Sequence, residues 1–252
     1  MKILEFGNKE KEKLLLIHGF QTPYQIWNEY IAHFKERYHI IVPVLPGHDP
    51  EQMEDFISFS ECAKELEDWY MNRCGESVYA IYGMSMGGVL AACLWRNRRL
   101  KIQKLILESS PLLGTGRLMT EVQIKLYQMM THKTQKRDPK IIRQAVSSIV
   151  PECLLEDFLK MMDHMPDETI EKYIRCLAAY RMPGDMDIPG TVLYYFHGTK
   201  SNEILAKKTA RFLEQHYPDT HVICFQGKGH CEDSLLNPQV MLRKLEEVFT
   251  DA

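Results

Sequence analysis

The chain has 252 residues, of which 45% are hydrophobic, and its formal net charge at pH 7 is −3. This length and composition allow a substantial buried core in a single domain, with room for an inserted subdomain. Acidic and basic residues are interspersed along the chain, so the sequence lacks the basic patch typical of a nucleic-acid partner or a membrane surface.

The N-terminus and the cysteines favour a cytoplasmic protein. Charge at Lys2 and Glu5 comes too early for a signal peptide, and no apolar run approaches the roughly 18 residues that a membrane span needs. The seven cysteines show neither CxxC nor Cys/His metal spacing, as expected for reduced thiols. We therefore expect neither a membrane partner nor a bound metal ion. The expected oligomeric state is a monomer or a homodimer.

Strands and helices alternate over the first part of the chain. Apolar runs predict buried strands, and apolar residues at helical spacing predict helices between them. The predicted strands cover residues 13–17, 39–45, 78–83 and 102–107, and the predicted helices cover residues 23–37, 58–74 and the stretch that begins at Val89. Such alternation with short links indicates a mostly parallel sheet with helices on both faces.

The alternation stops between residues 112 and 187. Four helical stretches separated by prolines replace it, at 120–132, 139–150, 151–164 and 167–181. An all-helical insertion after a strand end lies on the face where parallel sheets bind ligands, so we interpret residues 112–187 as a cap, or lid. Its methionines favour ordinary core packing over a substrate lining. An apolar cap surface would serve a dimer as well as a lid.

Strand–helix alternation resumes after the insertion. Strands are predicted at 191–196 and 221–225, and helices at 204–216 and 238–249. The predicted fold is therefore α/β, with a doubly wound, mostly parallel sheet. Residues 1–111 and 188–252 form the core, and residues 112–187 form the helical cap.

The sequence Gly83-Met84-Ser85-Met86-Gly87 lies between a predicted strand and a predicted helix. A strand that turns sharply into a helix strains the residue at its apex, and small residues two positions to either side prevent a clash. This nucleophile elbow exposes Ser85 Oγ at the N-terminus of a helix, where the helix dipole favours negative charge. Ser85 is the predicted nucleophile.

A serine hydroxyl needs a base to accept its proton. His230 follows the last predicted strand in the sequence Gly227-Lys228-Gly229, whose glycines let the loop bring the imidazole over the sheet. Most other histidines fall within predicted helices or strands. His48 and His197, at strand ends, are weaker candidates for the base.

The acid that would orient His230 has more than one candidate. Glu203 is the only acidic residue in the loop after the strand at 191–196, although a glutamate there also suits the first turn of a helix. Glu108, at the end of the strand before the insertion, is the alternative acid. A dyad assisted by water or by Asp233 is a further possibility.

A negatively charged intermediate needs two donors already in place. The Met86 N–H, directly after the serine, is one candidate, and the Phe20 N–H in the turn His18-Gly19-Phe20 is the other. The Phe20 side chain would then wall the acyl pocket. Phe20 and His18 are the predicted substrate contacts, and Phe20 and Met86 the predicted oxyanion hole.

Together these motifs resemble those of the α/β-hydrolase superfamily. The shared features are His18-Gly19-Phe20, Leu45-Pro46-Gly47-His48, the Ser85 elbow, His197-Gly198 and Gly229-His230. They cover nearly the whole chain in the order serine, acid, histidine, and are similar to those of small bacterial hydrolases and esterases with a helical cap. The family commonly carries an aspartate a few residues after the Gly198 position, where this chain has Ser201.

The resemblance implies a serine esterase with a Ser–His–acid catalytic triad and no cofactor. We expect it to cleave a small to medium, hydrophobic carboxylic ester, as a carboxylesterase does, through an acyl-enzyme. Alternatives are hydrolysis of a thioester, an amide or the C–C bond of a β-diketone, and a ligand-binding relative without turnover. Serine at position 85 argues against dehalogenase and epoxide hydrolase chemistry, which would require aspartate there.

Overall fold

The computed structural model describes residues 1–52, 54–186 and 189–250. Its described part contains a seven-stranded sheet in the spatial order β1-β3-β2-β4-β5-β6-β7. The strands are β1 (Lys2–Phe6), β2 (Lys13–Ile17), β3 (His39–Val44), β4 (Ser77–Met84), β5 (Lys101–Glu108), β6 (Val192–Gly198) and β7 (His221–Phe225). β1 pairs with β3 in antiparallel orientation, and the remaining neighbours are parallel. The predicted mostly parallel sheet is confirmed.

Helices cover both faces of this sheet. Successive strand residues point to opposite faces, so a strand made of apolar residues has an apolar surface to bury on each side. In β2, Leu15 and Ile17 pack into one buried cluster, while Leu14 and Leu16 pack into another. The α-helices of the described chain are α1 (Asn28–Phe34), α2 (Phe59–Cys74), α3 (Met86–Asn97), α4 (Arg117–Gln135), α5 (Pro139–Ser148), α6 (Leu155–Asp163), α7 (Asp167–Ala179), α8 (Ile204–His216), α9 (Glu232–Leu236) and α10 (Pro238–Thr250). Helices α2, α3 and α8 cover one face, and α1, α9 and α10 cover the other.

Most predicted elements agree with the observed ones within a few residues. Ser58 caps α2 by accepting a hydrogen bond from the Glu61 N–H at 3.1 Å. The helix predicted over 23–37 begins with a 3₁₀ turn at Tyr24–Trp27, and the one predicted over 151–164 begins with a 3₁₀ turn at Glu152–Leu154. Three elements of the described chain, β1, α9 and the 3₁₀ turn Ser201–Glu203, are not among the predicted ones.

The chain between β5 and β6 carries helices α4 to α7, and residues 112–186 are named the helical insert below. The described part of the insert contains no strand. It has its own buried cluster, in which Met161, Met162 and Met165 pack with Phe158 and Ile170. These three methionines are core residues, as predicted for the insert, whereas Met119 and Met129 are exposed. The predicted boundary between Asp187 and Ile188 lies outside the described residues.

The outer face of α4 carries large apolar side chains that are exposed to solvent. They are Leu118, Met119, Val122, Leu126 and Met129. Among the described helices, none is both long enough and apolar enough to cross a bilayer.

Candidate active site

Ser85 lies at the apex between β4 and α3, at the carboxyl end of the sheet. Its backbone has φ +52° and ψ −114°, a left-handed conformation that costs a non-glycine residue about 1–3 kcal/mol. The Ser85 N–H donates a hydrogen bond to the Glu108 carbonyl oxygen of β5 at 2.7 Å. The strained turn is thus bonded to the neighbouring strand.

Two glycines make this turn sterically possible. A Cβ atom on Gly83 would lie 2.6 Å from the Cα atom of Gly88, and one on Gly87 would lie 2.3 Å from the carbonyl oxygen of Ile17. Both distances are far below van der Waals contact with rigid backbone. The predicted requirement for small residues on both sides of Ser85 therefore corresponds to close backbone packing.

His230 lies in the loop between β7 and α9 and reaches Ser85. Its Nε2 atom is 2.8 Å from Ser85 Oγ, and its Nδ1 atom is 2.8 Å from Glu203 Oε1. With Nδ1–H donating to the carboxylate, Nε2 is free to accept the proton of the serine hydroxyl. His197 is elsewhere bonded, with Nδ1 2.8 Å from the Gly198 carbonyl oxygen.

Glu203 ends a 3₁₀ turn at Ser201–Glu203 and directly precedes α8, and its side chain is fully buried. Its second carboxylate oxygen, Oε2, accepts hydrogen bonds from Ser109 Oγ at 2.8 Å and from the Gly198 N–H at 2.9 Å. Burial alone would raise the pKa of Glu203, but His230 and these donors outweigh it and lower the pKa below its usual value. The carboxylate therefore remains ionised beside the imidazole.

The other two acidic candidates have different partners. Glu108 Oε2 accepts hydrogen bonds from Tyr82 at 2.5 Å and from Ser234 at 2.6 Å, and burial raises the pKa of Glu108 to about 7. Asp233 forms an ion pair with Lys228 at 2.6 Å. Of the three predicted acids, only Glu203 is hydrogen-bonded to His230.

The turn at residues 18–20 lies beside the serine. A Cβ atom on Gly19 would be 3.6 Å from Ser85 Cβ, and Phe20 and Ser85 line the same cavity. Met86 is the first residue of α3, and N–H groups in the first turn of a helix have no acceptor within that helix. This arrangement is compatible with the predicted donors Phe20 and Met86.

His18 differs from the expectation of a substrate contact. Its side chain is fully buried, with Nδ1 2.8 Å from the Gly19 carbonyl oxygen and Nε2 accepting from the Leu45 N–H at 3.1 Å. Burial lowers the pKa of His18 to about 4. The neutral ring therefore joins the turn to the loop after β3 and does not line the cavity.

His48 supports the same turn from the other side. Its Nε2 atom accepts a hydrogen bond from the Gln21 N–H at 3.1 Å, and its Nδ1 atom is 3.1 Å from the Pro46 carbonyl oxygen. Burial lowers the pKa of His48 well below its ordinary value. With both ring nitrogens bonded to the backbone, His48 is placed as a support for the turn rather than as a base for Ser85.

A cavity of about 370 Å³ lies between the Ser85 elbow and the helical insert. Phe20 forms part of its wall and packs against Tyr127 and Tyr173 of the insert, with ring centroids 5.5 and 5.2 Å away. The side chains that the insert contributes include Gln123, Tyr127, Ser148, Ile149, Ile174 and Leu177. Within the described chain, no aspartate, glutamate, lysine or arginine lines this cavity.

The sequence model of the alpha/beta hydrolase family matches residues 14–243. The chain belongs to this family. The predicted α/β-hydrolase fold and the resemblance to the superfamily are therefore confirmed.

Individual relatives have low sequence identity to this chain. The pimeloyl-[acyl-carrier protein] methyl ester esterase of Legionella pneumophila (strain Corby) is 24% identical over 218 residues, which cover 86% of this chain and 87% of the relative. An alpha/beta hydrolase family protein from Desulfitobacterium hafniense superposes with a TM-score of 0.78 and 22% identity, covering 99% and 100% of the two chains. A thermophilic esterase from Thermogutta terrifontis superposes with a TM-score of 0.72 and 17% identity. The superposition covers 98% of this chain and 92% of the esterase. These structures share the fold.

No cluster of three or more His, Cys, Asp or Glu side chains suited to a metal ion occurs within residues 1–52, 54–186 and 189–250. The geometry of this hydrolase-family chain instead joins a hydroxyl, an imidazole and a carboxylate in series, facing a cavity. This arrangement can transfer a proton from the hydroxyl while the carboxylate stabilises the resulting imidazolium.

Several supporting residues were not predicted. Ser109, directly after β5, donates to Glu203, and Tyr82 and Ser234 bind Glu108. Ser109 also has a positive φ of +50°, and Cys231, next to His230, has +51°. Ser109 has no glycine within four residues, so its neighbours give no indication of this conformation, whereas Cys231 follows the glycine-containing loop Gly227-Lys228-Gly229.

Proposed function

We propose that this protein is a serine hydrolase that cleaves a carboxylic ester through an acyl-enzyme intermediate. The observation that carries the proposal is the path of two 2.8 Å contacts from Ser85 Oγ through His230 to Glu203. Ser85 is the nucleophile, His230 the general base and then the general acid, and Glu203 the carboxylate that orients the imidazole.

Acylation begins when His230 Nε2 takes the proton of Ser85 Oγ, and Oγ attacks the ester carbonyl carbon. Negative charge develops on the carbonyl oxygen, and the N–H groups of Phe20 and Met86 donate to it. The bond to the alcohol oxygen then breaks. His230 returns the proton to that oxygen, so the alcohol leaves neutral.

Deacylation repeats these steps with water. His230 takes a proton from water, the hydroxide oxygen attacks the acyl carbon, and the bond to Ser85 Oγ breaks as His230 reprotonates it. Glu203 stays ionised throughout, in line with the lowered pKa of its carboxyl group. The cycle uses no metal and no organic cofactor.

The cavity favours a small-molecule ester with an uncharged, apolar acyl group. Phe20, Tyr127, Ile174 and Leu177 provide apolar surface, and no charged aspartate, glutamate, lysine or arginine of the described chain lines it. At about 30 Å³ per water-sized group, 370 Å³ holds a ligand of about a dozen non-hydrogen atoms. The Legionella relative named as a methyl ester esterase also favours ester cleavage.

The helical insert has the role of a cap in this proposal. Its helices α4 and α7 contribute Gln123, Tyr127, Ile174 and Leu177 to the cavity wall, so the insert determines which acyl group fits. The insert also bonds to the core beside the site, where Tyr173 donates to the Pro46 carbonyl oxygen at 2.8 Å. These contacts favour a closed position for the insert over the cavity.

The test is hydrolysis of p-nitrophenyl esters from acetate to decanoate by wild type and Ser85→Ala, together with labelling by a fluorophosphonate. We expect turnover by wild type with a preference for medium chains, and loss of turnover and labelling in Ser85→Ala. Labelling without ester turnover would favour another acyl bond, such as a thioester or amide. Neither labelling nor turnover would contradict the proposal and favour a ligand-binding relative.

A further inference from the structure

Glu108 is a buried carboxyl group that the proposed acyl transfer does not use. It ends β5, directly beside the strand that leads to Ser85. One oxygen, Oε2, accepts hydrogen bonds from both Tyr82 and Ser234, and the two hydroxyl oxygens lie 2.8 Å apart. A buried carboxyl held by two hydroxyl groups requires a physical reason, because burial of such a group is costly.

The partners of Glu108 belong to the two segments that meet at the site. Its backbone carbonyl oxygen accepts from the Ser85 N–H at 2.7 Å, so it holds the serine elbow. Its carboxyl holds Ser234, which lies in α9, four residues after His230. Tyr30 donates to the Ser234 carbonyl oxygen at 3.0 Å and fixes the same turn from α1.

We propose that Glu108 is a positioning residue that holds α9, and with it His230, in register with the Ser85 elbow. This inference rests on the proposed function, since it explains how the catalytic groups of that hydrolysis are held in place. Glu108 touches neither the ester nor the imidazole in this role. It acts through Ser234 on one side and through its own carbonyl oxygen on the other.

The arrangement explains why a polar side chain occupies this position. Without the carboxyl, the hydroxyl groups of Tyr82 and Ser234 would lose their common acceptor in a buried environment, and α9 would shift to find new partners. A displacement of about 1 Å in a catalytic group can lower a rate about a hundredfold. Glutamine has the same length and presents one carbonyl oxygen to both hydroxyls, so it can keep both hydrogen bonds.

The experiment compares Glu108→Ala, Glu108→Gln and Ser234→Ala in ester hydrolysis, with melting temperatures measured for each. We expect Glu108→Ala to lower kcat about tenfold to a hundredfold with KM changed less than about threefold. Glu108→Gln should restore kcat to within about threefold of wild type. Ser234→Ala should lower kcat about threefold to tenfold. Combining it with Glu108→Ala should add little, since both variants remove the hydrogen bond between Glu108 and Ser234.

The outcomes separate this inference from alternative roles. Wild-type kcat in Glu108→Ala, measured well below its melting temperature, would overturn the positioning role even if the protein is less stable. A loss of a thousandfold or more in Glu108→Gln would instead identify Glu108 as the catalytic acid. If Glu108→Ala does not fold, Ser234→Ala and Tyr82→Phe carry the test, and wild-type kcat in both would overturn the inference. Turnover retained in Ser85→Ala would contradict the proposed function itself.

Discussion

The carboxyl ends of the strands and the helical insert face the same cavity, but they are built differently. At the strand ends, backbone groups and short polar side chains hold each other, as in the bond from the Ser85 N–H to Glu108. Four non-glycine residues with positive φ, Gln21, Ser85, Ser109 and Cys231, line the cavity there. The insert contributes mainly apolar and aromatic side chains from helices, above a core rich in methionine.

This difference separates two tasks. Catalytic groups must be held to within a fraction of an ångström, and strands bonded to their neighbours on both sides provide that precision. Substrate selection depends on volume and apolar area, and helices packed through methionine and aliphatic side chains tolerate changes in both. Substitutions at the strand ends should therefore change the rate for every ester, whereas substitutions in the insert should change the order of preference.

Glu203→Ala tests the first half of this comparison most severely. The change removes the carboxylate that accepts from His230 Nδ1. The imidazole is then no longer held in the Nδ1–H tautomer, and its protonated form is no longer stabilised by a negative charge. We expect kcat/KM to fall about 10³- to 10⁴-fold for every p-nitrophenyl ester, without a change in chain-length preference. Asp233→Asn is the matched control and should stay within about tenfold of wild type. A larger loss in Asp233→Asn than in Glu203→Ala would contradict the assignment of the acid.

Gly87→Ala tests whether the strand ends depend on backbone packing. The new Cβ atom would lie 2.3 Å from the Ile17 carbonyl oxygen, and neither side has a flexible side chain that could move away. We expect a destabilisation of about 3 kcal/mol or more, with loss of activity because the elbow shifts. Thermal unfolding measures the first effect. Gly116→Ala, at a glycine where an added Cβ meets no atom within 4 Å, should leave stability nearly unchanged.

Leu177→Trp tests the second half of the comparison. Leu177 is a half-buried residue of α7 that lines the cavity, so a larger side chain reduces the volume available to the acyl group. We expect kcat/KM for decanoate to fall about tenfold and that for acetate to change less than about threefold. Leu118→Trp, on the outer face of α4 and 82% exposed, should leave the profile unchanged. An equal loss for all chain lengths would show that the insert also determines the rate.

The sequence predicts some parts of this architecture well, for physical reasons. Buried parallel strands are continuous apolar runs, and the elbow needs glycines at fixed distances from Ser85, so both leave local patterns. β1 was missed because it is a five-residue antiparallel strand at the sheet edge with half-buried side chains. α9 was missed because five residues are too few to show helical periodicity.

The sequence favours Glu203 as the acid without excluding Glu108, because the decision depends on contacts between distant segments. Glu108 ends β5, and Glu203 lies after the end of β6. The position after β6 favours Glu203, but the sequence leaves Glu108 open as the alternative. The structure gives them different partners: Glu203 contacts His230, while Glu108 contacts Tyr82 and Ser234. Likewise, nothing near Ser109 indicates that its hydroxyl group meets a carboxylate 94 residues later.

The smallest expected effect concerns the charge of Glu108 and the stability of the strand ends. Burial raises the pKa of Glu108 from an ordinary value of 4.5 to about 7. The negative charge of Glu203 also raises this pKa, whereas Ser234, Tyr82 and His230 lower it. The folded state therefore holds this proton more tightly than the unfolded chain. Its contribution to stability is complete below about pH 4.5 and is lost as the pH rises through about 7.

Glu108→Gln removes this titration while keeping the side-chain shape. Between pH 6 and pH 7, wild type should lose about 1 kcal/mol of stability relative to Glu108→Gln. For a chain of this size, that corresponds to about 2–4 °C in melting temperature. Thermal unfolding of both proteins in parallel cancels the histidines that titrate in the same range. Parallel curves would mean that the carboxyl group titrates alike in the folded and unfolded states, and the strand ends would then not depend on its proton.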